Sequence, residues 1–348
     1  MSAIDGHIKS SDFEAIPAEE DFLFPVLPMP KVSILVITLD HDPYLAQTLD
    51  SLLGQRCDFS FEILIGEDCS KDQTLAICED YQQRFPGIVR VVSSEKNVGM
   101  HRNLARIWHR ARGQYIAICE GDDYWVDPLK LAKQVAFLEA RPAYTLCGAY
   151  TQKIRQEKDG SWHDAGLIGP VMLKEAYSVE DLIPEYSFHT SSVMVRKDCV
   201  RFPVWFWDMY CADRPLYLLC AEQGPAGFIP EVMSVYRLHG TGIWSPTGLL
   251  GKAEKGQKLF ETLDAYFGRQ HHRLIQRTLC DIIWSYMAEA LGAGQLPAAR
   301  RLFWMAVGYQ WAARQIAPLK DWPVLLARLY LPRGYAWIKS LGLRGGRA

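Results

Sequence analysis

Residues 115–134 read YIAICEGDDYWVDPLKLAKQ. The segment opens on a short apolar run, passes through an acidic turn at Glu120, Asp122 and Asp123, and closes on the apolar spacing of a helix. Upstream the same strand-then-helix order recurs. The run KVSILVITL (31–39) is rich in β-branched residues, and Asp42-Pro43 then supplies an N-cap and first helical position for a helix with Leu45, Leu49, Leu52 and Leu53 at helical spacing. FEILIGED (61–68) is a second strand, SKDQTLAICEDYQQRF (70–85) a helix, IVRVVSS (88–94) a third strand and VGMHRNLARIWHRAR (98–112) another helix. Continuous apolar strands alternating with helices predict an α/β fold, a mostly parallel, Rossmann-like sheet covered on both faces. Ligands in such sheets gather at the carboxyl ends of the strands.

Beyond residue 145 the pattern loosens. AYTLCGAYTQKIRQ (143–156) reads as a strand, 156–170 as a polar loop, and 171–185 as a short helical or linker piece. FHTSSVMVRKDCV (188–200) has strand character, RPLYLLCAEQG (214–224) is a helix, and GFIPEVMSVYRLH (227–239) is an apolar strand. After Gly251 the chain turns helical, with Leu259, Leu263, Tyr266 and Phe267 in register and further amphipathic helices over 272–292 and 296–312. Residues 286–307 have the small-residue and turn pattern of one tetratricopeptide-like hairpin, without an array around it. Three regions follow: an acidic, proline-punctuated leader over 1–30, a main domain over 31–250, and a helical extension with a basic amphipathic tail over 251–348.

The 348 residues are 49% hydrophobic and 22% charged, which fits neither a disordered chain nor a polytopic membrane protein. A net charge of −2 argues against nucleic acid as a partner. The charge is uneven: residues 265–348 hold 12 Lys and Arg against 3 Asp and Glu, a net +9, leaving −11 for the rest. The 9 cysteines include no C-x-x-C pair, so neither a zinc site nor a disulfide framework is indicated, in keeping with a reducing cytoplasm. The acidic residues between Asp5 and Asp21 are unlike an export signal, and no apolar run reaches the roughly 18 residues of a spanning helix. From Asp321 onward, basic residues interleave with Trp, Tyr and Leu. That composition suits either an interfacial helix on anionic lipid or packing against the main domain.

Three strand ends carry the chemistry. Glu120, Asp122 and Asp123 form a dense set of hard oxygen ligands suited to Mg²⁺ or Mn²⁺, since crowded carboxylates repel unless a cation compensates. In GEDCSKDQT (66–74), Glu67 and Asp68 are placed to accept hydrogen bonds from a base or ribose, or else belong to an ordinary strand–turn–helix junction begun by Ser70 or Asp72. In KNVGMHRN (96–103), Asn97 and Gly99 permit an unusual turn and Arg102 is a candidate phosphate ligand, although a lone helical Arg is commonly solvated.

In order and spacing, the segments beginning VSILVITLDHDPYL, FEILIGEDCSKDQT, EKNVGMHRN and YIAICEGDDYW closely resemble the family 2 glycosyltransferases of the GT-A fold, over about residues 31–245. The resemblance implies an inverting hexosyltransferase that uses a nucleotide-sugar, a UDP-sugar in the first instance, with Mn²⁺ or Mg²⁺ as cofactor. It places Thr38, Glu67 and Asp68 on the base and ribose, and Asn97, Arg102, Glu120 and Gly121 on the donor nucleotide. It gives the metal to Asp122 and Asp123, with Asp122 in direct contact. Glu67 and Glu120 depart from it, standing where the family usually has Asp. CADRPLYLLCAEQG (211–224) resembles the segment that supplies the catalytic base, which falls on Asp213; read without the resemblance, Asp213 is a helix N-cap. VYRLHGTGIWS (235–245) resembles the loop that closes over the diphosphate, with His239 as a third metal ligand and Arg237 on phosphate. Trp125, Trp244 and Tyr124 would offer flat faces to sugar rings, and His189, Thr190 and Ser191 polar contacts to an acceptor. The implied acceptor is a glycan or lipid-linked hydroxyl in surface polysaccharide or lipopolysaccharide synthesis, on the inner face of a bacterial cytoplasmic membrane. The alternatives are a nucleotidyltransferase, which would want a glycine- and lysine-rich phosphate loop absent from 38–44, and a nucleotide-sugar binding module without catalysis.

Overall fold

The computed structural model describes residues 29–240, 247–313 and 322–332. The leader over 1–28, Trp244 and the tail beyond 332 lie outside the described residues. Every residue of β1 (Val32–Thr38) is buried, as a β-branched run between two neighbours should be. α1 (Asp42–Leu53) is preceded by His41 at the N-cap, so Asp42 stands inside the first turn rather than at the cap. β2 (Phe61–Glu67), α2 (Thr74–Arg84), β3 (Val89–Val92), α3 (Met100–Arg110) and β4 (Tyr115–Glu120) follow. α2 begins later than Ser70 because Asp72 holds the approach open: its Oδ1 accepts the Thr74 N–H at 2.9 Å and its Oδ2 the Asp42 N–H at 3.1 Å.

β1 lies between β2 and β4, parallel to both, and β2 is parallel to β3. The rest of the sheet is mixed. It comprises β5 (Tyr124–Trp125), β6 (Leu146–Gln156), β7 (Trp162–Ile168), β8 (Met194–Arg196) and β9 (Ala226–Leu238), with α4 (Lys130–Glu139), α5 (Val179–Leu182) and α6 (Asp213–Gln223) between them. The order is β3-β2-β1-β4-β8-β6-β9-β5, with β7 on β6. β8 is antiparallel to β4 and β6, while β9 is parallel to β6 and antiparallel to β5. Parallel pairing thus joins β1 through β4 and recurs between β6 and β9, and β5, β7 and β8 run antiparallel to their neighbours, a mixed α/β sheet. The polar loop expected over 156–170 contains β7, a largely exposed strand paired only to β6, whose surface position gives it no apolar alternation. The strand expected over 188–200 shrinks to the three residues of β8, because Thr190–Ser192 closes into a 3-10 turn.

One face of the sheet buries Val32, Ile34, Val36, Ile63 and Ile65 against Leu45, Leu49 and Leu52 of α1 and Leu131, Val135 and Leu138 of α4. Each such side chain contributes about 1.5–3 kcal/mol by leaving water. The chain divides into two compact units, Met1–Gly242 and Ile243–Ala348. The second is helical, with α7 (Leu249–Tyr266), α8 (His272–Gly292), α9 (Leu296–Ala312) and α10 (Trp322–Tyr330) around its own core of Ile283, Met287, Leu302, Phe303 and Leu329. Among the described residues no helix is long and apolar enough to cross a membrane.

Candidate active site

The parallel register brings three strand ends level: Thr38 pairs with Glu67, and Ile37 with Glu120. Thr38 is buried, and its Oγ1 has no hydrogen-bond partner among the described residues. Beside it stands Gly121, where a Cβ would lie 2.6 Å from that oxygen and 2.8 Å from His41 Nδ1, so the acidic turn can approach β1 only as glycine.

Glu67 and Asp68 are buried and engaged by main chain. Glu67 Oε1 accepts the Ser70 N–H at 2.6 Å and Oε2 that of Cys69 at 3.2 Å, a turn that holds Cys69 at φ 63°. Asp68 Oδ1 accepts the Val98 N–H at 2.7 Å and Oδ2 the Gly99 N–H at 2.9 Å. Asn97 Oδ1 accepts the same Gly99 N–H, and Gly99 sits at φ 87°, a left-handed conformation open to glycine. These carboxylates therefore fix the two loops flanking the end of β2. Arg102 is exposed on α3; the guanidinium that reaches the strand ends belongs to Arg106, one turn on. Arg106 donates to the Glu67 carbonyl at 2.9 Å, to the Ser93 carbonyl at 2.8 Å and to Asn103 Oδ1 at 2.6 Å.

The acidic turn after β4 presents carboxylates on two sides. On one, Asp122 Oδ2 is 3.0 Å from His239 Nε2 and 3.7 Å from His41 Nε2. Burial works to raise the Asp122 pKa, but the His239 hydrogen bond and the His41 charge outweigh it and hold the group below the ordinary carboxylate value. On the other side, ligand atoms of Glu120, Asp123 and His189 lie within 4.8 Å of one another. Glu120 Oε2 and Asp123 Oδ2 are buried without a hydrogen-bond partner among the described residues. Burial, followed by the Asp122 charge, pushes Glu120 up to about 8 and Asp123 well above its usual range. His189 is held down at about 4 by burial, so its ring is neutral; its Nδ1 is 2.8 Å from Ser191 Oγ.

Arg237, near the end of β9, locks this turn. Its backbone N–H donates to Asp123 Oδ1 at 3.1 Å, and its guanidinium donates to the Asp122 carbonyl at 2.6 Å and to Gln47 Oε1. The same guanidinium lies over the rings of Tyr124 at 4.4 Å and Tyr44 at 5.1 Å. From α1, Thr48 Oγ1 is within 3.0 Å of the Gly121 carbonyl and 2.6 Å of that of Asp123, and Ser51 Oγ accepts the Trp125 N–H at 3.0 Å.

Asp213 opens α6 inside its first turn, with Ala212 at the cap, so it is not the N-cap that the residues alone allowed. Its Oδ2 accepts the Tyr186 hydroxyl at 2.6 Å, and its charge reaches Glu120, His189 and Tyr236. Trp125 is a correction to the expected sugar platform: it is 4% exposed, its indole N–H donates to the Ser191 carbonyl at 2.8 Å, and Lys130 Nζ lies 4.0 Å from its ring centre. It holds the turn carrying His189 from within the core. His41, Arg106, Thr48 and Tyr186 escaped the sequence reading; polar residues at 48 and 51 on an otherwise apolar helical face were the available signal for α1.

Residues 33–201 match the family model described as glycosyl transferase family 2. An uncharacterized protein of Mycobacterium tuberculosis strain H37Rv is 35% identical over 219 residues, 61% of this chain and 60% of that protein, so the chain spans about 60% of the length of its first curated relatives. Among solved structures, Staphylococcus aureus TarS 1–349 in complex with UDP-GlcNAc matches with a TM-score of 0.51 at 17% identity, covering 82% of this chain and 93% of that one. A mannosyltransferase from Pyrobaculum calidifontis in complex with GDP-Man and Mn²⁺ matches with a TM-score of 0.50 at 17% identity, covering 96% and 93%. The fold is that of the GT-A glycosyltransferases.

Proposed function

We propose that the chain transfers a sugar from a nucleotide-sugar to a hydroxyl acceptor with inversion, using a divalent cation held at the acidic turn. What supports this reading is the nearness of two carboxylate sets, Glu120–Asp123 after β4 and Asp213 at the start of α6, close enough for the Asp213 charge to reach Glu120. The donor set suits a divalent cation: Glu120 and Asp123 offer buried oxygens without partners among the described residues, and Asp122 is flanked by two imidazoles. The resemblance gives the ion to Asp122, Asp123 and His239, whereas the ligand atoms that lie within 4.8 Å of one another are those of Glu120, Asp123 and His189; Asp123 is common to both sets, and a Mn²⁺ or Mg²⁺ held there would offset the charge of a diphosphate leaving group. Asp213 takes the proton of the acceptor hydroxyl as that oxygen forms its bond to the anomeric carbon. Arg237 and Thr48 keep the acidic turn in place, and Thr38, Glu67, Asp68, Asn97 and Gly121 line or shape the donor's seat.

The complexes of the structural neighbours with UDP-GlcNAc and GDP-Man support a sugar nucleotide as donor, and the UDP-sugar remains the first choice by family resemblance. The acceptor is a glycan or lipid-linked hydroxyl of surface polysaccharide synthesis, on the cytoplasmic face of the membrane. A panel of sugar nucleotides, each with and without Mn²⁺ or Mg²⁺, tests the reading by thermal shift and product analysis. Cation-dependent stabilisation with slow release of nucleoside diphosphate is expected; release of pyrophosphate would turn the assignment to nucleotidyl transfer, and binding without any turnover to a non-catalytic module.

A further inference from the structure

We propose that Tyr186 is a positioning residue for Asp213, fixing the carboxylate of the base through its phenol hydroxyl; this rests on the transferase reading above. The two carboxylate oxygens are held from opposite partners: Tyr186 donates to Oδ2 at 2.6 Å, and the Arg214 N–H donates to Oδ1 at 2.7 Å. An Asp carboxylate otherwise turns freely about its terminal torsion, whose wells are broad. With both oxygens engaged its plane is set, and each oxygen keeps a lone pair for an incoming hydroxyl. The tyrosine itself is well anchored. Ser187 and Phe188, next in the chain, are 2% and 0% exposed, and the Phe188 ring packs edge-on to Tyr217 of α6 at 5.8 Å. Tyr186 is itself 37% exposed, so the Asp213 side chain it holds is tied from a residue that solvent reaches. Burial around the hydroxyl and the nearby Asp213 charge keep the phenol protonated, so it serves as a donor throughout the working pH range.

A purely structural role would have this hydrogen bond tie α6 to the loop before it. That tie exists independently, because Arg214 Nη1 donates to the Ile183 carbonyl at 2.6 Å. Removing one hydroxyl therefore loosens the base while leaving the loop attached. The test compares the full chain with Tyr186→Phe and Asp213→Asn, using Mn²⁺ and whichever of UDP-GlcNAc or GDP-Man gives the larger cation-dependent stabilisation. Nucleoside diphosphate release with water as acceptor gives kcat, titration gives the donor Kd, and thermal shift gives Tm. Tyr186→Phe is expected to lower kcat about tenfold or more with the donor Kd and Tm unchanged, since misplacing a reacting group by about 1 Å costs up to about 100-fold. A kcat within twofold of the parent, or a loss matched by weaker donor binding and a lower Tm, overturns the positioning role. If Asp213→Asn itself keeps parental turnover, the base assignment fails and the inference with it; if only Tyr186→Phe is silent, the base assignment stands.

Discussion

Lys130 puts an ammonium in the core beneath the candidate site, fully buried, 2.7 Å from Gln134 Oε1 and 4.0 Å from the Trp125 ring centre. Burial pulls its pKa down from 10.5 to about 7. Between those values the unfolded chain carries a proton that the folded chain does not, so the stability of the wild type relative to Lys130→Met should climb with pH across that window, by about 2 kcal/mol from pH 7 to 9. Urea unfolding of the two proteins at both pH values measures it, and a constant difference would mean that Lys130 stays charged in the fold. Asp213→Asn should reduce turnover by about 100-fold or more with donor affinity retained, as expected for loss of a general base. Asp122→Ala should weaken cation-dependent donor binding instead; Mn²⁺ titration distinguishes the two, and equal Mn²⁺ affinity in Asp122→Ala would refute its place in the cation site. The acidic turn was legible in the sequence because residue type alone announces hard oxygen ligands. His41, Arg106 and Tyr186 were not, because each acquires its role from a partner far along the chain, as Tyr186 does from Asp213.

α1 works as a bracket for the acidic turn. Thr48 and Ser51 on its inner side, and Gln55 just beyond its end, bond, in order, the carbonyls of Gly121 and Asp123, the N–H of Trp125 and the carbonyl of Asp127. Thr48→Val keeps the shape and removes the one hydroxyl proton that the buried Gly121 and Asp123 carbonyls share. It should cost about 1–3 kcal/mol in urea unfolding and lower Mn²⁺ affinity, while an unaltered Mn²⁺ titration would show that the turn holds its form without α1. Local pattern gave the long elements, since β1, β9 and helices α7, α8 and α9 follow apolar runs or helical spacing that need no partner to be seen. β5 and β7 were hidden for the opposite reason: Tyr124–Trp125 is a strand only by pairing with β9, and β7 only by pairing with β6.

At the scale of the whole chain, the charge is divided: residues 265–348 are net basic and the remainder net acidic. The helical unit also exposes Trp304, Trp311 and Leu331, by 56%, 87% and 67%, with Arg300 donating to the Leu329 carbonyl nearby. They belong to the unit whose tail, by composition, leaves contact with anionic lipid and packing against the main domain as alternatives. Full-length protein should sediment with acidic vesicles and less with neutral ones, and Trp304→Ser with Trp311→Ser should weaken that without altering donor binding; equal sedimentation by the double variant would remove this face from the contact. The strand that delivers Arg237 and His239 to the pocket ends at Leu238, and the first compact unit closes at Gly242. For anyone recombining the two halves with those of another enzyme, the seam must therefore fall after Gly240: a cut a few residues earlier would take the His239 imidazole from beside Asp122.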